Sequence, residues 1–166
     1  MRRNLLQVRL KRHETGRSVE TRAVIQRVKR CSVEVEGRLI AETGKGLLVL
    51  LGIAEGDGDP QLAYLADKTL NLRIFPDEAG RMNLSVLDIR GEITVVSQFT
   101  LLADTSRGRR PSFVAAADPT LAEPLYQAFV ERLRLTGLKV GTGRFGAMMD
   151  VSLDNWGPVT IVLDSP

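Results

Sequence analysis

The 166-residue chain predicts an α/β fold: a single domain with a mixed, largely antiparallel sheet and two main helices. Three observations predict it. Short stretches rich in β-branched and aliphatic residues recur along the chain, as strands require. Two Asp-Pro pairs, Asp59-Pro60 and Asp118-Pro119, each open a stretch with apolar residues at helical spacing. The resulting order is strands, helix, strand, helix, strands, which calls for helices packed on a sheet.

The domain begins near Arg22. Arg22–Val28 alternates apolar Ala23 and Ile25 with polar Gln26, and Ser32–Glu36 alternates strictly, so each reads as a strand. Glu36-Gly37 turns the chain, and Arg38–Thr43 returns as the hairpin partner. Gly44-Lys45-Gly46 turns it again into Leu47–Ala54, a continuous apolar run suited to a central strand. Asp59 is placed as an N-cap, with Pro60 at the first helical position. Leu62, Leu65, Ala66, Thr69, Leu70, Arg73 and Ile74 then follow at helical spacing as a mostly apolar stripe, and the helix must stop before Pro76. Asp77–Gly80 turns, and Met82–Leu84 leads into an irregular connection before the Ile93 strand.

Asp118 caps the second helix, whose apolar face is Ala122, Leu125, Tyr126, Phe129, Val130 and Leu133. Pro124 is tolerated in its first turns, where N–H groups lack intrahelical acceptors, and Gly137 suits the C′ position. Lys139–Thr142, Met149–Leu153 and Val159–Leu163 read as strands, the last two joined by a turn through Asp154–Pro158.

Composition narrows the function. Apolar residues make up 43% of the chain, enough for a packed core, and no apolar run approaches the roughly 20 residues that span a bilayer. No membrane partner is expected. A single cysteine, Cys31, excludes an intrachain disulfide and reads as a small buried residue; a cytoplasmic location fits. Residues 1–22 carry seven Arg or Lys and two Glu, whereas the rest carries 16 basic and 18 acidic side chains. The basic balance therefore lies in the tail. Residues 1–21 read as an extension, a disordered leader or a product of start-site choice, rather than an arm for nucleic acid. The one histidine, His13, is also in that tail. A body without histidine excludes Ser-His-Asp and Cys-His mechanisms, and with one cysteine it excludes the common zinc sites. No metal or cofactor is expected. Catalysis must use backbone dipoles, hydroxyls, carboxylates, lysines or the substrate's own groups.

Two stretches carry the chemistry. In Glu92–Phe113, the β-branched run Ile93–Val96 passes into polar Ser97, Gln98, Phe99 and Thr100, then into a basic loop with Arg107, Arg109 and Arg110. Polar groups at the end of a rigid apolar element are where function is often mounted. An arginine loop beside them suits an anion, though a solvated surface loop has the same composition. The second stretch is Asn155–Thr160. In it Gly157-Pro158 has neither a glycine side chain nor a proline N–H, so it can present bare carbonyl oxygens to a ligand.

Together, VVSQFTLLADTSRGRRPSF, NWGPVTIVLD, AVIQRV, GLLVLLGI, RMNLSV and TGRFGAMMDVSL resemble segments of D-aminoacyl-tRNA deacylases, in the same order. The resemblance runs from about Arg22 to Leu163; residues 1–21 are extra and inherit no role. It implies a barrel-like sheet with helices packed on it. It also implies a homodimer with the active site at the interface, acting on the 3′ end of D-aminoacyl-tRNA. Ser97, Gln98, Phe99 and Thr100 match the family's catalytic segment. Gly157 and Pro158 match its cross-subunit element with a cis peptide, and Arg27 matches the arginine that steadies it. Phe145 and Met149 match residues near the terminal-adenosine pocket. An aminoacyl ester is already activated, so backbone N–H groups near Phe99 and Thr100 suffice for the oxyanion, with the ribose 2′-hydroxyl assisting. Two rivals remain at this point: a tRNA-binding module using Arg107, Arg109 and Arg110, and a small-molecule esterase with Thr100 as nucleophile.

Overall fold

The structure, a computed structural model, describes residues 19–166. The reading of the tail therefore lies, for residues 1–18, outside the described residues. Among the described residues the order is β1 (Arg22–Val35), β2 (Arg38–Thr43), β3 (Gly46–Gly52), α1 (Asp59–Asn71), β4 (Phe75–Pro76), β5 (Met82–Leu84), β6 (Glu92–Ser97), α2 (Pro119–Arg134), β7 (Val140–Thr142) and β8 (Asp150–Asp164). β4 and β5 form a small separate hairpin. In the main sheet β2, β1, β3, β6 and β7 lie in that order, and β8 pairs with β1. The pairings of β1 are antiparallel, whereas β3–β6 and β6–β7 are parallel. The sheet curls until its ends meet: a Cβ placed on Gly141 of β7 would lie 3.3 Å from Ala41 and Thr43 of β2. The sheet is thus mixed and barrel-like, as expected.

β3 is central, and alternate residues serve its two faces. Leu47, Val49 and Leu51 pack with Leu62 and Leu65 of α1 and Phe129 and Leu133 of α2. Leu48 joins a smaller cluster with Val28, Cys31, Val33 and Val96 on the other face. Cys31 is the small buried residue expected. Each large apolar side chain fully buried in this way stabilises the fold by roughly 1.5–3 kcal/mol.

The structure corrects several boundaries. The first two predicted strands are one, β1, because a bulge lets the chain change phase. Ala23 and Ile25 face the helices, whereas Val28, Cys31 and Val33 face the smaller cluster. The expected turn at Asp154–Pro158 is also a bulge, inside a continuous β8. Gln26 pairs with Thr160 and Val28 with Asn155, so Arg27 alone stands opposite Trp156–Val159. Proline has no N–H for the ladder, which is why the pairing breaks there. α1 is capped by Gly58 rather than Asp59; the Gln61 side chain accepts from the Gly58 N–H at 3.0 Å. Asp59 instead pairs with Arg132 of α2. Gly137 lies two residues past the Leu135 cap rather than one. Thr21, assigned to the tail, belongs to the fold. It is fully buried, its N–H donates to Asp57 at 2.9 Å, and its carbonyl accepts from Ser165 at 2.9 Å.

One buried polar contact yields a measurable pH dependence. The Tyr126 hydroxyl donates to the Val95 carbonyl at 2.8 Å. Burial pushes its pKa up from 10.0 to about 12. The folded state thus holds the proton more tightly than the unfolded chain. That contribution is complete below pH ~10 and is lost as pH rises toward ~12. Tyr126→Phe should therefore be less stable than the parent by about 1 kcal/mol at neutral pH. The gap should close and then reverse between pH ~10 and ~12 in urea denaturation. A gap constant over that range would refute this account.

Candidate active site

The site is built where β3 runs out. β6 pairs with β3 up to Leu51–Ser97, and the Gln98 N–H donates to the Leu51 carbonyl at 2.8 Å. β3 ends at Gly52, and the Gln98 carbonyl packs onto that glycine: a Cβ there would lie 2.7 Å from its oxygen and 3.2 Å from Leu101 Cβ. With no partner strand left, the chain coils into a 3-10 turn, Phe99–Leu102. The expected strand end therefore stops at Ser97, and Phe99 and Thr100 open a helical turn instead. The first N–H groups of such a turn have no acceptor within it and point outward. The Gln98 amide nitrogen donates to the Thr100 hydroxyl oxygen.

This turn forms one wall of a pocket of about 680 Å³. Ser97, Gln98, Phe99, Thr100, Phe145 and Met149 all line it, although the last two lie more than 40 residues downstream. Phe99 is 56% exposed and meets Phe113 edge-on, with ring centroids 5.0 Å apart. Phe145 packs against Tyr126 at 5.9 Å. Met149 approaches so closely that a Cβ on Gly143 would lie 2.5 Å from its sulfur.

Sequence reasoning missed other residues that line the pocket: Phe113, Ala116, Ala117, Asp118 and the exposed Met148. The alanines sit there because they pair with the end of β3. Ala54 bridges Ala116, and the Ala117 N–H donates to the Ile53 carbonyl at 2.9 Å. The run Ala115-Ala116-Ala117 was the available signal for such a close approach. Asp118 is the carboxylate among the lining residues. Hydrogen bonds from the Thr120 hydroxyl and then the Thr120 N–H hold it below the usual carboxylate range, which makes it a weak general base. No histidine lies among the described residues to replace it.

Gly157, Pro158 and Arg27 lie apart from this pocket, in the bulge of β8. The Gly157–Pro158 peptide is cis. Arg27 is 8% exposed; its Nε donates to the Trp156 carbonyl at 2.9 Å and its Nη1 to the Ile74 carbonyl at 2.7 Å. Gly157 has φ 127°, and a Cβ there would lie 2.9 Å from Arg27 Nη2, so only glycine fits. Gly157 and Pro158 are both exposed.

The arginine loop projects from a pinched base. Asp104 and Ser112 exchange backbone hydrogen bonds at 2.8 and 2.9 Å. Arg107, Arg109 and Arg110 are exposed in the segment between and do not line the pocket, whereas Phe113 just beyond does. No helix among the described residues is long and apolar enough to cross a membrane.

Residues 24–164 match the family model described as D-Tyr-tRNA(Tyr) deacylase. The chain is 56% identical over 144 residues to the D-aminoacyl-tRNA deacylase of Aquifex aeolicus (strain VF5), covering 87% of this chain and 97% of the relative. It is 60% identical over 144 residues to that of Roseiflexus castenholzii (strain DSM 13941 / HLO8), covering 87% and 92%. A solved structure described as a c-Myc DNA Unwinding Element Binding Protein superposes with TM-score 0.83 at 46% identity, covering 87% of this chain and 99% of that one. A probable eukaryotic D-amino acid tRNA deacylase superposes with TM-score 0.77 at 17% identity, covering 87% and 98%, a likeness of fold alone. Fold and matches together define the class as an enzyme, a hydrolase of aminoacyl-tRNA esters. Within that class, the chain belongs to the D-aminoacyl-tRNA deacylase family.

Proposed function

We propose that the chain hydrolyses the ester joining a D-amino acid, and glycine as well, to the terminal adenosine of tRNA, a cytoplasmic proofreading step in translation. The observation that carries this reading is the pocket in which the Ser97–Thr100 turn faces Phe145 and Met149. The pocket is apolar enough to take a base and sugar, with polar groups at one end. Water attacks the ester carbonyl carbon. The oxyanion is held by the outward N–H groups of Phe99 and Thr100, each worth about 2.7–4 kcal/mol in such a role. Collapse breaks the bond to the ribose oxygen. The neighbouring 2′-hydroxyl relays the water's proton to that leaving oxygen, and a free amino acid and tRNA result. The lowered pKa of Asp118 and the absence of histidine among the described residues favour this route over a side-chain base.

Chirality is assigned to Gly157 and Pro158, reaching from one protomer into its partner's pocket. Two facts support action in trans. The pair does not line its own chain's pocket. β8 also pairs only with β1, which leaves its other edge open among the described residues as a template for a second copy. D- and L-residues held by the same ammonium and ester exchange hydrogen and side chain at Cα. Backbone groups crowding the L direction exclude every L side chain and accept glycine.

The decisive assay compares D-tyrosyl-tRNA, L-tyrosyl-tRNA and D-tyrosyl ethyl ester. Cleavage of the D-aminoacyl-tRNA alone is expected. Fast cleavage of the free ester would indicate a general esterase, and cleavage of neither a binding module. Thr100→Ala removes one neutral hydrogen bond from Gln98, worth about 1 kcal/mol, so activity should fall roughly five- to tenfold. A trapped acyl-Thr100 adduct would overturn the scheme. Arg107, Arg109 and Arg110 are assigned to tRNA phosphates. Neutralising one should lower the slope of log affinity against log salt by about one unit. Unchanged slopes in all three single variants would return the loop to plain surface.

A further inference from the structure

Trp156, next to the Gly157-Pro158 pair, has two cations over its ring. The Arg27 guanidinium carbon lies 4.5 Å from the ring centroid, and Lys45 Nζ lies 4.7 Å from it. Both are within the roughly 6 Å at which a cation is attracted to an indole. Neither cation has a carboxylate partner within ion-pair distance among the described residues. Arg27 otherwise meets only carbonyl oxygens, those of Trp156 and Ile74. Phe75 flanks the indole from the small hairpin, with ring centroids 6.2 Å apart.

Lys45 reaches the ring from a rigid base. It sits in the turn between β2 and β3, and its carbonyl accepts from the Glu92 N–H at 2.9 Å. Glu92 in turn accepts from the Gly44 N–H at 2.6 Å and pairs with Lys139 at 3.2 Å. The indole is therefore tied to β1 through Arg27 and to the β2–β3 turn through Lys45. It is also covalently joined to Gly157. Trp156 lies in the four-residue bulge, where no strand ladder fixes the backbone. Side-chain contacts must do there what hydrogen bonds do elsewhere in β8.

We infer that Lys45 and Trp156 are positioning residues that set where Gly157-Pro158 stands, and so set discrimination between D- and L-substrates. The inference rests on the chiral role proposed for that pair. Lys45 touches no substrate; it acts through the ring. A loosened bulge lets the pair retreat and admits L side chains.

The test uses the full-length protein and the initial rates of D- and L-tyrosyl-tRNA hydrolysis. Lys45→Met keeps most of the aliphatic stem and removes the charge. It should lower the D-over-L rate ratio roughly three- to fivefold, the scale of one exposed cation–ring contact. Lys45→Arg should restore the ratio. Trp156→Leu, which removes both contacts, should lower it further, and Trp156→Phe should lie between. A merely structural defect slows both substrates together and leaves the ratio unchanged. The chain has one tryptophan, so its emission reports on this site alone. Lys45→Met should also increase acrylamide quenching of that emission. An unchanged ratio in folded Trp156→Leu, or unchanged quenching in Lys45→Met, overturns the inference while leaving the proposed function intact. If the unmodified protein does not prefer the D-substrate, the chiral role of Gly157-Pro158 fails first, and the inference falls with it.

Discussion

Gly52→Ala lowers kcat/KM for D-tyrosyl-tRNA by about 100-fold in a protein that still folds. The reason is the close approach beneath the 3-10 turn. The added methyl would lie 2.7 Å from the Gln98 carbonyl oxygen and 3.2 Å from Leu101 Cβ. Neither contact is relieved by a flexible side-chain end; the backbone at Gln98 must move. Phe99 and Thr100 follow directly, so their N–H groups shift with it. In the oxyanion-holding role proposed for them, a displacement near 1 Å costs on the order of 100-fold. The overpacking itself costs about 1–3 kcal/mol, which a domain of this size survives. Single-turnover kinetics beside a far-UV spectrum and a urea midpoint separate the two effects. Parental kcat/KM in Gly52→Ala would mean that the turn does not position the reacting groups.

Gly46→Ala has the larger effect on folding. A Cβ there would lie 1.8 Å from the Glu92 carbonyl oxygen and 2.7 Å from its nitrogen, both backbone atoms. Gly46 pairs with Glu92 at the start of the parallel ladder between β3 and β6. Relief requires those strands to part at the centre of the sheet. The expected loss is about 4 kcal/mol or more, at the upper end of single substitutions. The urea midpoint should fall by more than about 1 M, or the protein should be recovered only in aggregates. A midpoint equal to the parent's would show that the two strands separate there at little cost.

Much of the fold was legible in the sequence because its signals are local. The uninterrupted apolar run of β3, the period of α1 and α2, and the Asp118 cap each lie within a few residues of what they specify. The Asp118 side chain does accept from the Thr120 N–H, at 2.9 Å. The bulges were not legible. Between Val28 and Cys31 the alternation slips by one residue, and from sequence such a slip looks like the end of one strand and the start of another. Only the partner strand shows that the chain continues. The same holds for Trp156–Val159, where glycine and proline imitate a turn. For the site, the Ser97–Thr100 segment announced itself by polar residues after an apolar run. Phe145 and Met149 carried no local signal and came from resemblance. Ala116 and Ala117 depend on pairing with residues some 60 positions upstream, which composition does not encode. Gly52 looked like any strand-terminal glycine until the Gln98 carbonyl was seen against it.

The pairing of β1 with β8 has a consequence for biosynthesis. Arg22 stands opposite Asp164, so the first strand of the domain meets its last across nearly the whole chain. On a ribosome β1, β2 and β3 emerge early and can pair at once. One edge of β1 nevertheless stays open until the final strand has left the exit tunnel. The sheet is therefore completed only once β8 has emerged, and a nascent chain stalled before Asp150 displays a long unpaired strand edge to its neighbours.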